Sequence, residues 1–280
     1  MKKISVKKIS QMIEQLCIEA CCVLNDEVIQ SYKRALDKEN NPLPREIMNE
    51  IISNAALGNL EMIPVCQDTG MVIVFVTIGD QVTITDGNIE EAINLGIKNG
   101  YEKGYLRKSV VSDPIKRVNT GDNTPAVIYY EFVKGDLLKI DVMPKGFGSE
   151  NMSSIKMLKP SDGLDGVKSF ILETVVKAGP NACPPLFLGI GIGGTMDKAA
   201  VLSKKALLRN PGSRNNDDDY NALEIELKES INLLNIGPAG LKGKTTVLDV
   251  FIESFPTHIA GLPVAVTICC HSLRHKGVIL

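Results

Sequence analysis

Three cysteines stand where a thiol can be used as well as buried. Cys66 lies in Pro64-Val-Cys-Gln-Asp-Thr-Gly70, just ahead of a long apolar run. Cys183 lies in Gly179-Pro-Asn-Ala-Cys-Pro-Pro185, and Cys270 ends a strand-like segment and leads into His271-Ser-Leu-Arg-His275. The wide spacing excludes a zinc ribbon. Three thiolates on separated loops can hold three irons of a cubane cluster and leave the fourth open as a Lewis acid. The plainer alternative is that these are small hydrophobes in turns. Cys17, Cys21 and Cys22 fall inside a helical pattern with no His or acid to complete a zinc set, so they read as core. Cys269 adjoins Cys270, and adjacent strand residues face opposite sides. Only one of the two can join a site, and spacing does not choose between them.

Gly189-Ile-Gly-Ile-Gly-Gly194 follows a strand-like run and precedes a helix, which fits the dinucleotide fingerprint G-x-G-x-x-G. A nucleotide-binding oxidoreductase is therefore the alternative class. That fingerprint wants an acid about 20 residues on, closing a second strand. Here the region reads as helix followed by the polar loop Asn210–Asp219, so the glycines read better as a close backbone approach or a turn. His258, alone between Thr257 and Ile259, reads by itself as a structural histidine.

The elements that must carry these residues follow from periodicity. Ile9, Met12, Ile13, Leu16 and Val23 recur at helical spacing, and the first 60 residues form a helical segment broken at Asn40–Pro44. Met71–Ile78 is a buried strand. Ala126–Phe132 and Leu137–Val142 read as a hairpin turning near Gly135-Asp136. Helices are expected over 89–101, 163–178, 197–208 and 221–234, and strands over 187–192, 246–255 and 264–270. The fold class is α+β, a hairpin-containing sheet packed by helices, in one domain over residues 1–280.

Composition narrows the function classes. With 280 residues, 44% hydrophobic, 23% charged and a net charge of −2, the chain has no basic field for nucleic acid and no polybasic membrane anchor. No apolar run reaches the roughly 20 residues of a membrane helix. There is no signal-peptide pattern, and an odd set of seven cysteines argues against a disulfide framework. A cytoplasmic chain is expected.

Seven blocks, in order along nearly the whole chain, carry a resemblance. They are Cys66–Gly70, Arg107–Pro114, Asn119–Pro125, Lys145–Asn151, Cys183–Thr195, Gly237–Thr246 and Pro256–Pro263 through Cys270-His271. Together they resemble the α subunit of class I iron–sulfur fumarate hydratases and L-tartrate dehydratases. The resemblance implies a [4Fe–4S] cluster held by Cys66, Cys183 and Cys270. It implies reversible hydration of a dicarboxylate; malate and fumarate are the expected pair because hydration of fumarate is the commoner task, with L(+)-tartrate dehydration the alternative. Gln67, Asp68, Arg107, Gly148 and His258 are the implied substrate contacts, with Asp68 and His258 catalytic. His271 and His275 stay structural. Single-chain members of the family add a second domain, so a separate β subunit in an α2β2 assembly is expected, and the open cluster should be oxygen-sensitive.

Overall fold

The computed structural model describes all 280 residues. In chain order it runs β1 (Lys2–Ser5), α1 (Val6–Cys22), α2 (Asp26–Lys38), α3 (Pro42–Glu61), β2 (Met71–Gly79), β3 (Val82–Thr85), α4 (Ile89–Lys103), β4 (Val127–Val133) and β5 (Leu138–Lys145). It continues through α5 (Phe147–Glu150), β6 (Ser154–Leu158), α6 (Gly163–Ala178), β7 (Leu186–Gly193), α7 (Met196–Ala206), α8 (Asp218–Asn232), β8 (Val247–Phe255), β9 (Leu262–Cys269) and β10 (Lys276–Ile279). The class is α+β. No helix is long and apolar enough to cross a membrane. The chain divides into two compact units built from non-contiguous stretches. One takes Met1–Leu24, Asn54–Phe147 and Arg274–Leu280; the other takes Asn25–Ser53 and Gly148–Leu273. Because the stretches interleave, no single linker marks the division in the sequence.

In the first unit the main sheet has the order β10-β5-β2-β4. Central β2 pairs parallel with β4 and antiparallel with β5. The expected hairpin is therefore corrected: β4 and β5 are not partners, because β2 lies between them. The Gly135-Asp136 turn does not bring the strands together, since β2 is the more apolar strand and takes the centre. Ile9, Ile13 and Cys17 of α1 meet Ile93 and Ile97 of α4 over Val72 and Val74 of β2. The two helices approach closely because α4 carries glycines at the contact: a Cβ on Gly96 would stand 2.5 Å from the Ser10 carbonyl oxygen. Ser5 caps α1 through Oγ, which accepts from Lys8 N, and Asn88 caps α4 through Oδ1, which accepts from Glu90 and Glu91 N.

In the second unit the sheet order is β6-β9-β7-β8, with β7 parallel to β8 and antiparallel to β9. Leu188, Ile190 and Ile192 of β7 face the core built with Ile171 and Val175 of α6 and Leu227 of α8. The intervening glycines face α7. A Cβ on Gly189 would lie 2.0 Å from Ser203 O, and one on Gly191 2.0 Å from Ala199 O. The glycine-rich run thus lets a helix lie directly on the strand backbone. The acids of the Asn210–Asp219 loop serve a cap: Asp217 Oδ1 accepts from Asp219 and Tyr220 N. Four short strands, β1, β3, β6 and β10, have four or five residues each and carry no period long enough to be read.

Candidate active site

In the first unit the Cys66–Gly70 loop links α3 to β2. Thr69, 1% exposed, donates from Oγ1 to the Arg107 carbonyl at 2.7 Å. The Tyr101 hydroxyl donates to Thr69 O at 2.7 Å. Asn123, fully buried, donates from Nδ2 to Gly70 O at 3.1 Å, and its Oδ1 accepts from Ser109 N and Val110 N at 2.7 and 3.2 Å. The loop bearing Arg107 is thereby stitched to the loop bearing Cys66, Gln67 and Asp68. Gln67 and Arg107 are exposed, while Cys66 and Asp68 are half-buried. Asp68 is fixed through both oxygens: Oδ1 accepts from Gly70 N at 3.0 Å and Oδ2 from Phe147 N at 2.7 Å. Each oxygen keeps a further lone pair for a substrate hydroxyl. A Cβ at Gly146 would stand close to Asp68 Oδ2 at 3.1 Å and Arg274 Nη2 at 3.2 Å, so a side chain there would press on both groups. Sequence reasoning missed Thr69, Tyr101, Asn123 and Arg274. Of these only Asn123 and Thr69 lie in the quoted motifs, where they could have been flagged as positioning residues.

In the second unit the segments of Cys183 and Cys270 are joined. Cys183 caps a short 3-10 turn in the left-handed region (φ 53°), and its carbonyl accepts from His271 N at 3.2 Å. Cys269 is 5% exposed and pairs with Phe187 in the ladder. Cys270 lies just past the strand end, half-buried, with Sγ 3.2 Å from Ser272 Oγ. The Tyr32 hydroxyl of α2 donates to the His271 carbonyl. Burial holds that hydroxyl well above its ordinary pKa, and Cys270 and Cys269 add to the effect.

None of the seven cysteines is in a disulfide, and their thiols differ sharply in access. Cys183 is exposed, Cys66 and Cys270 are half-buried, and Cys17, Cys21, Cys22 and Cys269 are buried. Burial pushes Cys21 up to about 12 and raises Cys17 and Cys22 as well. A thiol held protonated is a poor metal ligand, so the helix cysteines are core. The three thiols that are not buried are Cys66, Cys183 and Cys270. No three His, Cys, Asp or Glu side chains surround a single ion. Cubane cysteines instead take one iron each, so they need not converge on one point.

Gly148, on α5, is open, with no atom within 4 Å of where its Cβ would be. His258 is exposed between β8 and β9, and its Nδ1 accepts from Ala260 N at 3.1 Å, which leaves Nε2 as the outward donor. Thr257 Oγ1 donates to Gly194 O at 2.8 Å, tying this turn to the end of β7. Strand register then decides where His258 lies. Leu186 pairs with Val247 and Phe187 with Cys269 at one end of the sheet, while Gly193 pairs with Phe255 at the other. Cys183 and Cys270 belong to the first end and His258 to the second, about 23 Å along the strands at 3.3 Å per residue. An imidazole spans a fraction of that. Within one chain, then, His258 lies at the opposite end of this sheet from Cys183 and Cys270. Phe255 and Ile259, near it in the chain, are 50% and 91% exposed.

In the first unit Arg107 is exposed and Asp68 is held through both oxygens; in the second the segments of Cys183 and Cys270 are joined. Residues 10–279 match the model of the fumarate hydratase (Fumerase) family. A Methanocaldococcus jannaschii protein with the provisional name L(+)-tartrate dehydratase subunit alpha is 44% identical over 273 residues, covering 95% of each chain. The Escherichia coli K12 protein named L(+)-tartrate dehydratase subunit alpha is 32% identical over 283 residues, covering 100% of this chain and 92% of the other. The chain belongs to the fumarate hydratase family and is a hydro-lyase chain.

Proposed function

We propose that this chain is the α subunit of an iron–sulfur fumarate hydratase that interconverts (S)-malate with fumarate and water, together with a separate β subunit in an α2β2 assembly in the cytoplasm. The observation that carries this reading is that the three accessible thiols of seven are the three motif cysteines, on a chain that matches the family almost end to end. Bound at Cys66, Cys183 and Cys270, a [4Fe–4S] cluster supplies a Lewis acid for the departing hydroxyl.

The chain's own residues do the rest. Arg107 forks onto a substrate carboxylate, a task suited to its planar donors. Gln67 donates to the same anion. Asp68, fixed through both oxygens, accepts the hydrogen bond of the substrate hydroxyl and keeps it aligned as the carbon–oxygen bond breaks. The open backbone at Gly148 lets substrate approach. Dehydration also removes a proton from the neighbouring carbon, and we assign its acceptor to the β subunit. His258, whose Nε2–H points outward, serves the site of a second α copy, where it donates to the carboxylate that gathers charge.

A second reading, L(+)-tartrate dehydration, is favoured by the names of the two relatives. The substrates differ by one hydroxyl, so a tartrate pocket must satisfy one more hydrogen-bonding group. Anaerobic co-expression with the β-type chain and assays on (S)-malate and L(+)-tartrate test both readings. Turnover of malate is expected. Turnover of tartrate alone would favour the second reading, and full activity of the α chain without its partner would overturn the subunit assignment.

A further inference from the structure

A cavity lined by basic side chains lies in the second unit. It has a volume of about 190 Å³ and opens between α2, α8 and the segment entering β8. Its lining includes Arg34, Lys38, Lys228 and Lys244 with the hydroxyl residues Ser31 and Thr245, and it contains no carboxylate. The acids nearby are already engaged. Asp249, 2% exposed, accepts from Gly212 N at 2.7 Å and pairs with both Arg214 and Lys228 at 3.3 Å. Glu39 takes the backbone N–H groups of Asn40, Asn41 and Lys244. Arg34, Lys38 and Lys244 have no ion pair to neutralise them.

Arg34, Lys38 and Lys244, without an ion pair, share one small cavity with the Asp249-paired Lys228, so their like charges favour an anion among them. Burial lowers the Lys228 pKa against the pull of Asp249, and Arg214 and Lys38 add smaller effects in the same direction as burial. Helix-end electrostatics account for Lys38, in the last turn of α2, but not for Arg34 or for Lys244, which is on no helix.

We propose that this cavity binds a compact multivalent anion, a phosphate or a small polycarboxylate. Its volume suits such an ion and is below the range of ordinary cofactor pockets. The site bears on both cysteine segments of the unit. Ser31 precedes Tyr32, which holds the His271 carbonyl, and Thr245 precedes Thr246, whose carbonyl accepts from Leu186 N at 2.8 Å.

The test is isothermal titration of the full chain with inorganic phosphate and, separately, citrate, at ionic strength held constant with sodium chloride. Lys38→Gln plus Lys244→Gln removes two exposed lining charges, and Lys33→Gln, exposed on α2 but outside the lining, is the control. Saturable binding is expected for at least one probe, weakened about tenfold or more in the double variant and unchanged in the control, with all variants melting cooperatively. The probe that binds identifies the anion class. Absence of saturable binding overturns the proposal. So does binding that survives the double variant but is lost in Arg107→Gln, because the anion would then occupy the proposed substrate site.

Discussion

The residues of the candidate site are held by groups that do no chemistry. Asn123 shows this most clearly, since one buried amide links Gly70 to Ser109 and Val110. Asn123→Ala leaves two N–H groups and a carbonyl without that partner and should destabilise the chain by about 3 kcal/mol, read as a lower urea midpoint. A change within experimental error would show the linkage to be dispensable. His275 is a second residue-scale case. Burial lowers its pKa to about 4, against the opposing pull of Asp141. A folded value below the unfolded one near 6.5 means that its stabilising contribution is complete above pH 6.5 and is lost as pH falls towards 4. That loss is about 3 kcal/mol. His275→Gln should flatten this part of the stability–pH curve, and an unchanged slope would assign it to other groups. The candidate side chains Cys66, Asp68 and Arg107 could be proposed from the sequence because their motifs are local. Tyr101 and Arg274 could not, because what they touch is far away in sequence.

At the scale of elements, residue patterns give the long helices and the central strands but not their neighbours. Strand β2 and helices α1, α4, α6 and α8 follow from periodicity, and α6 has the predicted bounds. The hairpin reading failed because a short turn between two apolar runs is a local signal, whereas β2 competes for the pairing from a distance. The run Gly189–Gly194 shows the same limit from the other side. Its glycines fit a nucleotide loop on paper, yet they admit α7 onto β7. Gly191→Val would drive a side chain into the Ala199 carbonyl and should cost about 3 kcal/mol or more, visible as a lower melting temperature. Ile190→Val, one residue along and facing the other way, should cost only about 1 kcal/mol. Equal effects would remove the case for helix-on-backbone packing.

At the scale of the whole molecule, two proposals can be tested together. In anaerobically purified protein, Cys66→Ser, Cys183→Ser and Cys270→Ser should each abolish the broad absorption near 400 nm expected of a cluster, and Cys269→Ser should retain it. Loss with Cys269→Ser alone would reverse the choice of third ligand. If His258 serves a second α copy, His258→Asn and Arg107→Gln should each be nearly inactive, and a randomly associated equal mixture of the two should regain about a quarter of the wild-type sites, one in each mixed dimer, because complementary lesions are segregated into one site of a symmetric dimer. No regain would return His258 to a structural role. The sequence by itself determined the family, the reaction class and the motif residues, because short blocks in a fixed order are properties of the chain. Only the tertiary structure decided which thiols are accessible, why β7 is glycine-rich, and that His258 lies at the opposite end of its sheet from the cysteines. Burial and strand register arise from pairings between distant segments, and neither is encoded in any local stretch.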